Sequence, residues 1–168
     1  GISHADMLIE SENIPSLNIA AKIGYERKSK WNYFAVEAKK TSYSSQFDSV
    51  DYDELTYSEL RFVDSWRWIP LTKSNFEKLS SNEQILCIKD NKTIQSLGII
   101  TDSRSFDNTI ILTILFGKSY GIQKFIQHVQ RLALENNYSK LRILTQQDEI
   151  PTASIQKKFP FYLVEKKL

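Results

Sequence analysis

Cysteine and histidine are scarce in this 168-residue sequence, which has Cys87 as its one cysteine and His4 and His128 as its two histidines. A single cysteine excludes an intramolecular disulfide and a cysteine cluster that could hold zinc or an iron–sulfur centre. Two histidines argue against a histidine-built metal site. We therefore expect no metal site in this protein.

Long apolar runs and a strong net charge are also lacking. The longest apolar stretch, residues 109–116, is far shorter than the roughly 20 residues that span a bilayer, and no basic-then-apolar leader opens the sequence. The formal net charge of +2 is too small to indicate nucleic-acid binding by itself. We expect a cytoplasmic protein that binds neither membranes nor nucleic acids. An apolar segment begins almost directly after Gly1, which suggests a chain cut from a longer one.

The residues that are present are typical of a globular protein: 41% hydrophobic, 25% charged and 12% aromatic. A chain of this length can bury roughly two thirds of its extended surface, enough for one sizeable core or one core and a fragment. Cys87 lies in an apolar run, so we expect an inert buried thiol. His128 falls on the polar face of a predicted helix, so we interpret it as a solvated surface residue.

The first 40 residues predict a strand, a helix and two more strands. Asn13 can cap the helix, Pro15 costs little in its first turn, and Gly24 tolerates the left-handed conformation that ends helices. The predicted strands cover residues 6–10, 25–31 and 32–37. Residues 41–60 differ in kind, because they hold five acids, several tyrosines and no Lys or Arg. We interpret them as a linker.

A second unit is predicted from Arg61 onwards. Alternating aromatic residues indicate a strand over 62–71, and apolar residues spaced by three and four from Ile122 indicate a long amphipathic helix. Thr72 or Ser74 can cap a short helix over 75–79. The other predicted elements are strands over 84–89, 94–101, 109–115, 141–145 and 161–164, and a short helix over 151–158. This order predicts an α/β layered fold around a mixed sheet.

Residues 13–25 and 149–161 form an internal repeat at a constant offset of 136. The identical pairs are Ile14/Ile150, Pro15/Pro151, Ile19/Ile155 and Lys22/Lys158. If the repeat reflects duplication, the offset has the size of one domain. The part of the first copy that precedes its strand is then missing from this chain.

A glycine-bearing turn, residues 116–123, joins the predicted strand over 109–115 to the long helix. Such a turn presents backbone amides and a positive dipole end, which suits a pyrophosphate. The alternative is a plain turn that uses glycine for backbone freedom. The pattern alone favours the plain turn.

The element order, this turn and the repeated helix resemble the GCN5-related N-acetyltransferase (GNAT) family. Its phosphate turn reads Gln/Arg-x-x-Gly-x-Gly/Ala, which Lys118-Ser-Tyr-Gly121-Ile-Gln123 follows with two departures, at its first and last positions. Its later motif, Asn-x-x-Ala/Ser-x-x-x-Tyr-x-x-x-Gly-Phe, resembles the first repeat copy at Asn13, Ser16, Gly24 and Tyr25. Ala20 occupies the tyrosine position there. The second copy is weaker, with Glu149, Gln156 and Pro160 at the asparagine, tyrosine and glycine positions.

The resemblance implies a mixed, mostly antiparallel sheet with helices on both faces, preceded by a strand–helix–hairpin fragment of a first such domain. Residues 1–40 would be the tail of that first domain, residues 41–60 a linker, and residues 61–168 a second, degenerate domain. The implied activity is acetyl-CoA-dependent acetylation of a small-molecule or peptide amine. The alternative is a non-enzymatic interaction module that forms homodimers through exposed strand edges at residues 6–10 and 31–37.

The resemblance also implies where acetyl-CoA would lie, between the splayed strands over 109–115 and 141–145. Its implied contacts are Thr113, Leu115, Lys118, Gly121, Ile122 and Gln123. Asn13 and Glu149 are weak candidates for catalysis. The family's acid is often the motif tyrosine, which neither copy has. Some relatives lack this tyrosine and still work, so its absence weakens the catalytic interpretation without ending it. The second domain is a candidate for lost chemistry, and acetyl-CoA need not be bound by this chain.

Overall fold

The computed structural model describes residues 4–41, 46–56, 59–152 and 154–168. Its elements, in chain order, are β1 (His4–Glu10), α1 (Ile14–Lys22), β2 (Glu26–Val36), a 3-10 turn (Tyr52–Glu54), β3 (Arg61–Asp64), β4 (Arg67–Pro70), α2 (Lys73–Ser81), β5 (Ile85–Asp90), β6 (Thr93–Asp102), α3 (Arg104–Asp107), β7 (Thr109–Gly117), α4 (Ser119–Glu135), β8 (Lys140–Thr145) and β9 (Ile155–Lys167).

Seven strands form one sheet in the order β1-β9-β2-β8-β7-β6-β5, and β3 and β4 form a separate hairpin. β7 and β8 run parallel, whereas the other neighbouring strands of the sheet run antiparallel. The expected mixed, mostly antiparallel sheet is therefore confirmed. Within the described ranges, none of the helices has both the length and the apolar character that crossing a bilayer requires.

Helices cover both faces of this sheet, as expected. Side chains of successive strand residues point to opposite faces, so Leu86 and Ile100 pack in the cluster beneath α4, whereas their neighbours Cys87 and Ile99 pack against α2. The apolar stripe of α4, which includes Phe125, is buried in the first of these clusters. The two clusters on either side of the sheet form the main core.

Strands from both ends of the chain share the sheet, since β2 lies between β8 and β9 and β1 pairs with β9. Residues 32–36 are thus paired on both sides, and the expectation that 31–37 is an exposed edge was wrong. The division into a first-domain tail and a second domain stays a prediction about how the chain arose.

The strand registers reveal a pseudo-two-fold axis between Trp31 and Phe161, which are paired with each other. In β1 and β9, Leu8 pairs with Leu163; in β8 and β2, Leu144 pairs with Tyr33. The residue number in β1 plus 136 gives the equivalent residue of β8, and the residue number in β9 minus 130 gives the equivalent residue of β2. These two offsets convert the first pair into the second. β1–α1–β2 and the segment from β8 to β9 therefore have matching strand registers, and the second segment is six residues shorter between its strands.

The helix predicted over 151–158 is wrong, because residues 155 to 158 begin β9 and pair with β2. Residue 153 lies outside the described residues. Pro160 biases the preceding residue towards extended backbone, and the second copy has too few residues between its strands for a helix like α1. The ungapped repeat fails at Tyr25/Phe161, since the register matches Phe161 with Trp31. The pair Ile14/Ile150 lies outside the strands that the registers compare.

Two strand predictions also need correction. One strand, β2 (Glu26–Val36), replaces the two predicted over 25–31 and 32–37, with a bulge near Lys28. It pairs with β9 without interruption across the predicted boundary between Trp31 and Asn32. Residues 62–71 form the β3–β4 hairpin instead of one strand, since Ser65 and Trp66 turn the chain with φ of 47° and 63°. The pair Ser-Trp is not among the pairs that mark two-residue hairpin turns, such as Asn-Gly or Asp-Gly.

The described part of the predicted linker lies against β5. Asp48 accepts a hydrogen bond from the Lys89 amide at 2.7 Å, and Glu54 contacts the Lys89 ammonium at 2.6 Å. Val50 is buried in the cluster beneath α2. Residues 42–45, 57 and 58 of this segment lie outside the described residues.

Candidate functional site

The space beside residues 115–117 of β7, past the end of β8, is the candidate site, and we call it the opening. β8 pairs with β7 along its whole length, from Lys140 to Thr145, so the expectation that strands 109–115 and 141–145 splay apart was wrong over these residues. Beyond Ile114, β7 continues to Gly117 beside β6. Leu115 forms a bulge against β6, where the register shifts between Leu97 and Gly98. The carboxyl end of a parallel strand that leads into a helix start is where open sheets bind ligands.

The chain that leaves β8 closes this opening through Gln147. The Gln147 side chain donates from Nε2 to the Gly117 carbonyl oxygen of β7 at 2.7 Å. Its own carbonyl accepts from Asn32 Nδ2 of β2 at 2.8 Å, and its amide donates to Thr145 Oγ1 at 3.2 Å. Gln147 is thus tied to strands on both sides of β8, and the β7 carbonyl nearest the turn has a protein partner.

The turn from β7 into α4 is packed around Ser96 of β6. A Cβ atom at Gly121 would lie 2.2 Å from Ser96 Oγ, and one at Gly117 would lie 2.8 Å from it. The Lys118 amide donates to the same hydroxyl oxygen at 3.2 Å. Both glycines are therefore required by the packing of Ser96, which supports the plain-turn interpretation. The N-cap residue of α4, Lys118, makes no side-chain capping hydrogen bond.

The six predicted cofactor contacts do not all face the opening. Thr113 is fully buried and its Oγ1 accepts from the Val63 amide at 3.1 Å, so it holds the β3–β4 hairpin. Ile122 is fully buried in the core beneath α4. Leu115 packs in the cluster beneath α2. Lys118 and Gln123 are exposed, and Gln123 lines an open groove of about 260 Å³ beside α4.

The two weak catalytic candidates are not brought together. Asn13 caps α1, because its Oδ1 accepts from the Ser16 amide at 3.2 Å. Asn13 follows β1. Three strands lie between β1 and β7, so the usual strand spacing places β1 about 19 Å from β7. Glu149 is exposed after the end of β8. The capping prediction for Asn13 is confirmed, and its capping bond gives it a structural role.

A polar cluster that the sequence did not indicate lies at the mouth of the opening. Asp148 Oδ1 lies 3.4 Å from both Lys30 Nζ and Asn32 Nδ2, and Lys158 donates to the Asp148 carbonyl. The hydrogen bond from Lys30, helped by the one from Asn32, lowers the pKa of the Asp148 carboxyl. Asn32 is fully buried and its Oδ1 has no hydrogen-bond partner. A polar residue between Trp31 and Tyr33 was the only sequence signal.

The β3–β4 hairpin covers β7 and β8 on the face of the sheet that lies opposite α4. Trp68 packs on Trp31 with ring centroids 4.5 Å apart, and Trp66 lies 5.9 Å from Tyr33. This aromatic layer continues the cluster that includes Leu144. Among the described residues, no group of His, Cys, Asp or Glu side chains is placed to hold a metal ion.

Comparisons with known proteins identify the fold. No family model matches the chain, and no curated protein matches it. A GCN5-related N-acetyltransferase from Sphaerobacter thermophilus matches with a TM-score of 0.55 and 11% identity over 98% of this chain. A Thermoplasma acidophilum protein described as a candidate acetyltransferase matches with a TM-score of 0.50 and 10% identity over 99% of this chain. The fold is therefore GNAT-like, and the chain spans 59% and 56% of those two proteins.

Proposed function

We propose that this chain is part of an acetyl-CoA-dependent N-acetyltransferase, to which it contributes the end of a first GNAT-like domain and a second domain that does not itself transfer acetyl groups. The fold and the parallel pair of β7 and β8, with β7 leading directly into α4, support the first half of this proposal. One observation carries the second half: the Gln147 carboxamide occupies the opening and binds the Gly117 carbonyl.

The residues of the opening do not fit acetyl-CoA as they are arranged. The family resemblance implies that pantetheine pairs with the backbone of β7 and that phosphates lie on the start of α4. The Gly117 carbonyl is bonded to Gln147, and the Lys118 amide is bonded to Ser96. Ser96 also fills the space beside Gly121. Three elements of the implied cradle thus already have protein partners.

The proton donor expected of the family is also missing from its two motif positions. Ala20 is buried in α1, and Gln156 is an exposed residue of β9. Neither side chain carries an acid. Asp148 lies near the opening, but Lys30 and Asn32 lower its pKa and so favour the carboxylate over the acid. We therefore assign this domain a packing or substrate-shaping role beside a catalytic one.

A comparison of two polypeptides tests this proposal. Release of free coenzyme A from acetyl-CoA would be followed with a panel of amines, namely a polyamine, an aminoglycoside and a lysine peptide. The 168-residue chain is expected to show no turnover, and the polypeptide with its natural upstream coding sequence is expected to show it. Turnover by the short chain contradicts the non-catalytic role. No turnover by either polypeptide contradicts the acetyltransferase assignment.

A second candidate function is a non-enzymatic interaction module. It is favoured by β1, which forms an edge of the sheet and carries Leu8 with 42% of its surface exposed. Unpaired strand edges are templates for pairing with another chain. Sedimentation analysis separates the candidates, because edge pairing between copies predicts a dimer that dissociates on dilution. A strict monomer argues against this module.

A further inference from the structure

The free edge of β1 has a defined hydrogen-bonding pattern. β1 pairs with β9 on one side only. The Ser11 amide donates to the Pro160 carbonyl, which marks the Ser11 position as one that faces β9. Because successive residues of an antiparallel strand alternate in direction, the backbone groups of Asp6, Leu8 and Glu10 face the free edge. These residues can receive another strand without losing a bond to β9.

The pseudo-two-fold axis indicates which kind of strand fits this edge. The axis relates β1 to β8, as the pairs Leu8–Leu163 and Leu144–Tyr33 show. The side of β8 that faces away from β2 pairs in parallel with β7. The equivalent side of β1 is its free edge. Among the described residues, β1 therefore has no parallel neighbour equivalent to the β7 that lies beside β8.

Ile14 supports this assignment independently of the backbone. Ile14 and Ile150 are equivalent in the repeat, each followed by proline. Ile150 is 6% exposed and packs in the cluster beneath α4, whereas Ile14 is 53% exposed. The strand–helix unit that precedes β8 contributes side chains to the cluster in which Ile150 is buried, among them Leu112 and Ile126. Ile14 has no such unit beside it among the described residues.

We propose that the free edge of β1, together with Ile14, docks a strand–helix unit like β7–α4, whose strand runs parallel to β1. The unit would precede β1 in a longer polypeptide, just as β7 and α4 precede β8. The offset of 136 makes His4 equivalent to Lys140, the first residue of β8. Because α4 ends shortly before β8, the helix of the docked unit would end a few residues before His4.

A second folded copy of this chain does not supply that strand. Its own β7 is already paired with β6 on one side and β8 on the other. The two proteins of similar fold are longer, since this chain spans 59% and 56% of them. The remaining length of such a protein is ample for a strand–helix unit. We therefore assign the docked unit to the same polypeptide.

Hydrogen exchange tests this assignment without any cofactor. The exchange rates of the 168-residue chain would be compared with those of the polypeptide that includes its natural upstream coding sequence. The amides of Asp6, Leu8 and Glu10 are expected to exchange at least roughly 100-fold more slowly in the longer polypeptide. The amides of Met7 and Ile9, which face β9, serve as internal controls and should be protected in both.

Side-chain variants supply a second readout. Ile14→Ala is expected to lower the Tm of the longer polypeptide but to leave that of the 168-residue chain nearly unchanged. Leu134→Ala, at a half-exposed position of α4, is the matched control and should have little effect in either. The proposal is overturned if no reading frame precedes Gly1, if the β1 edge amides stay unprotected, or if protection appears only in a dimer. None of these results depends on acetyl-CoA, so they are separable from the proposed function.

Discussion

Ser96 occupies the space that a side chain at Gly121 would need, because a Cβ atom there would lie 2.2 Å from Ser96 Oγ and 2.7 Å from Ser96 Cβ. The two residues lie on β6 and in the first turn of α4. Their contact lets the helix start lie against the sheet. The glycine of the turn is thus explained by packing and requires no phosphate.

This contact predicts that Gly121→Ala is destabilising. The added methyl group overpacks a buried site, which costs about 1–3 kcal/mol of unfolding free energy. Ser96→Gly removes the clashing atoms and should restore part of that loss in the double variant, as a urea-denaturation double-mutant cycle would measure. Equal losses with and without Ser96 would show that the methyl group meets something else.

A separate prediction concerns Gln147. Gln147→Ala leaves the Gly117 carbonyl without its side-chain partner, so we expect a loss of about 1 kcal/mol of unfolding free energy. Gln146→Ala is the matched control, since Gln146 is exposed and adjacent. It should change stability by less than about 0.5 kcal/mol. Equal effects of the two substitutions would argue against closure of the opening by Gln147.

The thiol of Cys87 should be inert in the folded protein. Cys87 is fully buried, and burial raises its pKa to about 11. At pH 8 only about 0.1% of it would be thiolate, which is the reactive form. Ellman's reagent is therefore expected to leave the native chain unmodified and to label one equivalent in urea. Rapid stoichiometric labelling of the native chain would refute the burial of this strand.

His128 predicts a pH dependence of stability. It is half-buried, with its ring edge-on to Phe47 at 4.9 Å, so its interpretation as a solvated residue was wrong. Burial, with the nearby positive charge of Arg131, lowers the pKa of His128. The unfolded chain therefore takes up the proton first, and stability is lost as the pH falls below the unfolded value of about 6.5.

His128→Gln removes this titration. Urea unfolding between pH 7.5 and 5 should show a shallower fall in stability for the variant than for the unaltered chain. Lost packing against Phe47 lowers the unfolding free energy equally at every pH. The slope of the unfolding free energy against pH is therefore the informative quantity. Parallel profiles would mean that the imidazole titrates equally in the folded and unfolded chains.

The spacing of apolar residues correctly predicted the helices that are buried on one side and the strands that are buried on both sides. The apolar stripe of α4 and the buried strands β5 to β8 lie where the pattern placed them. The prediction failed where tertiary pairing decides the structure. Residues 155 to 158 are polar enough for a helix surface, but β2 offers them an edge. Ser65 and Trp66 turn the chain although Ser-Trp is not a pair that marks a two-residue hairpin turn.

The candidate site was only partly accessible from sequence. The turn at residues 117–123 was found by its glycines, but their cause, Ser96, is 21 residues before Gly117 and belongs to no motif. Gln147 and Asn32 meet only because β2 inserts beside β8. Nothing in the spacing of these residues predicts that insertion.

Titration of the 168-residue chain with acetyl-CoA in a calorimeter tests most directly whether the opening is closed. The account predicts no saturable binding up to about 1 mM ligand, because the Gly117 carbonyl and the Lys118 amide are already bonded within the protein. Saturable binding with a micromolar Kd, abolished by a substitution in the turn at residues 118–123, would contradict it.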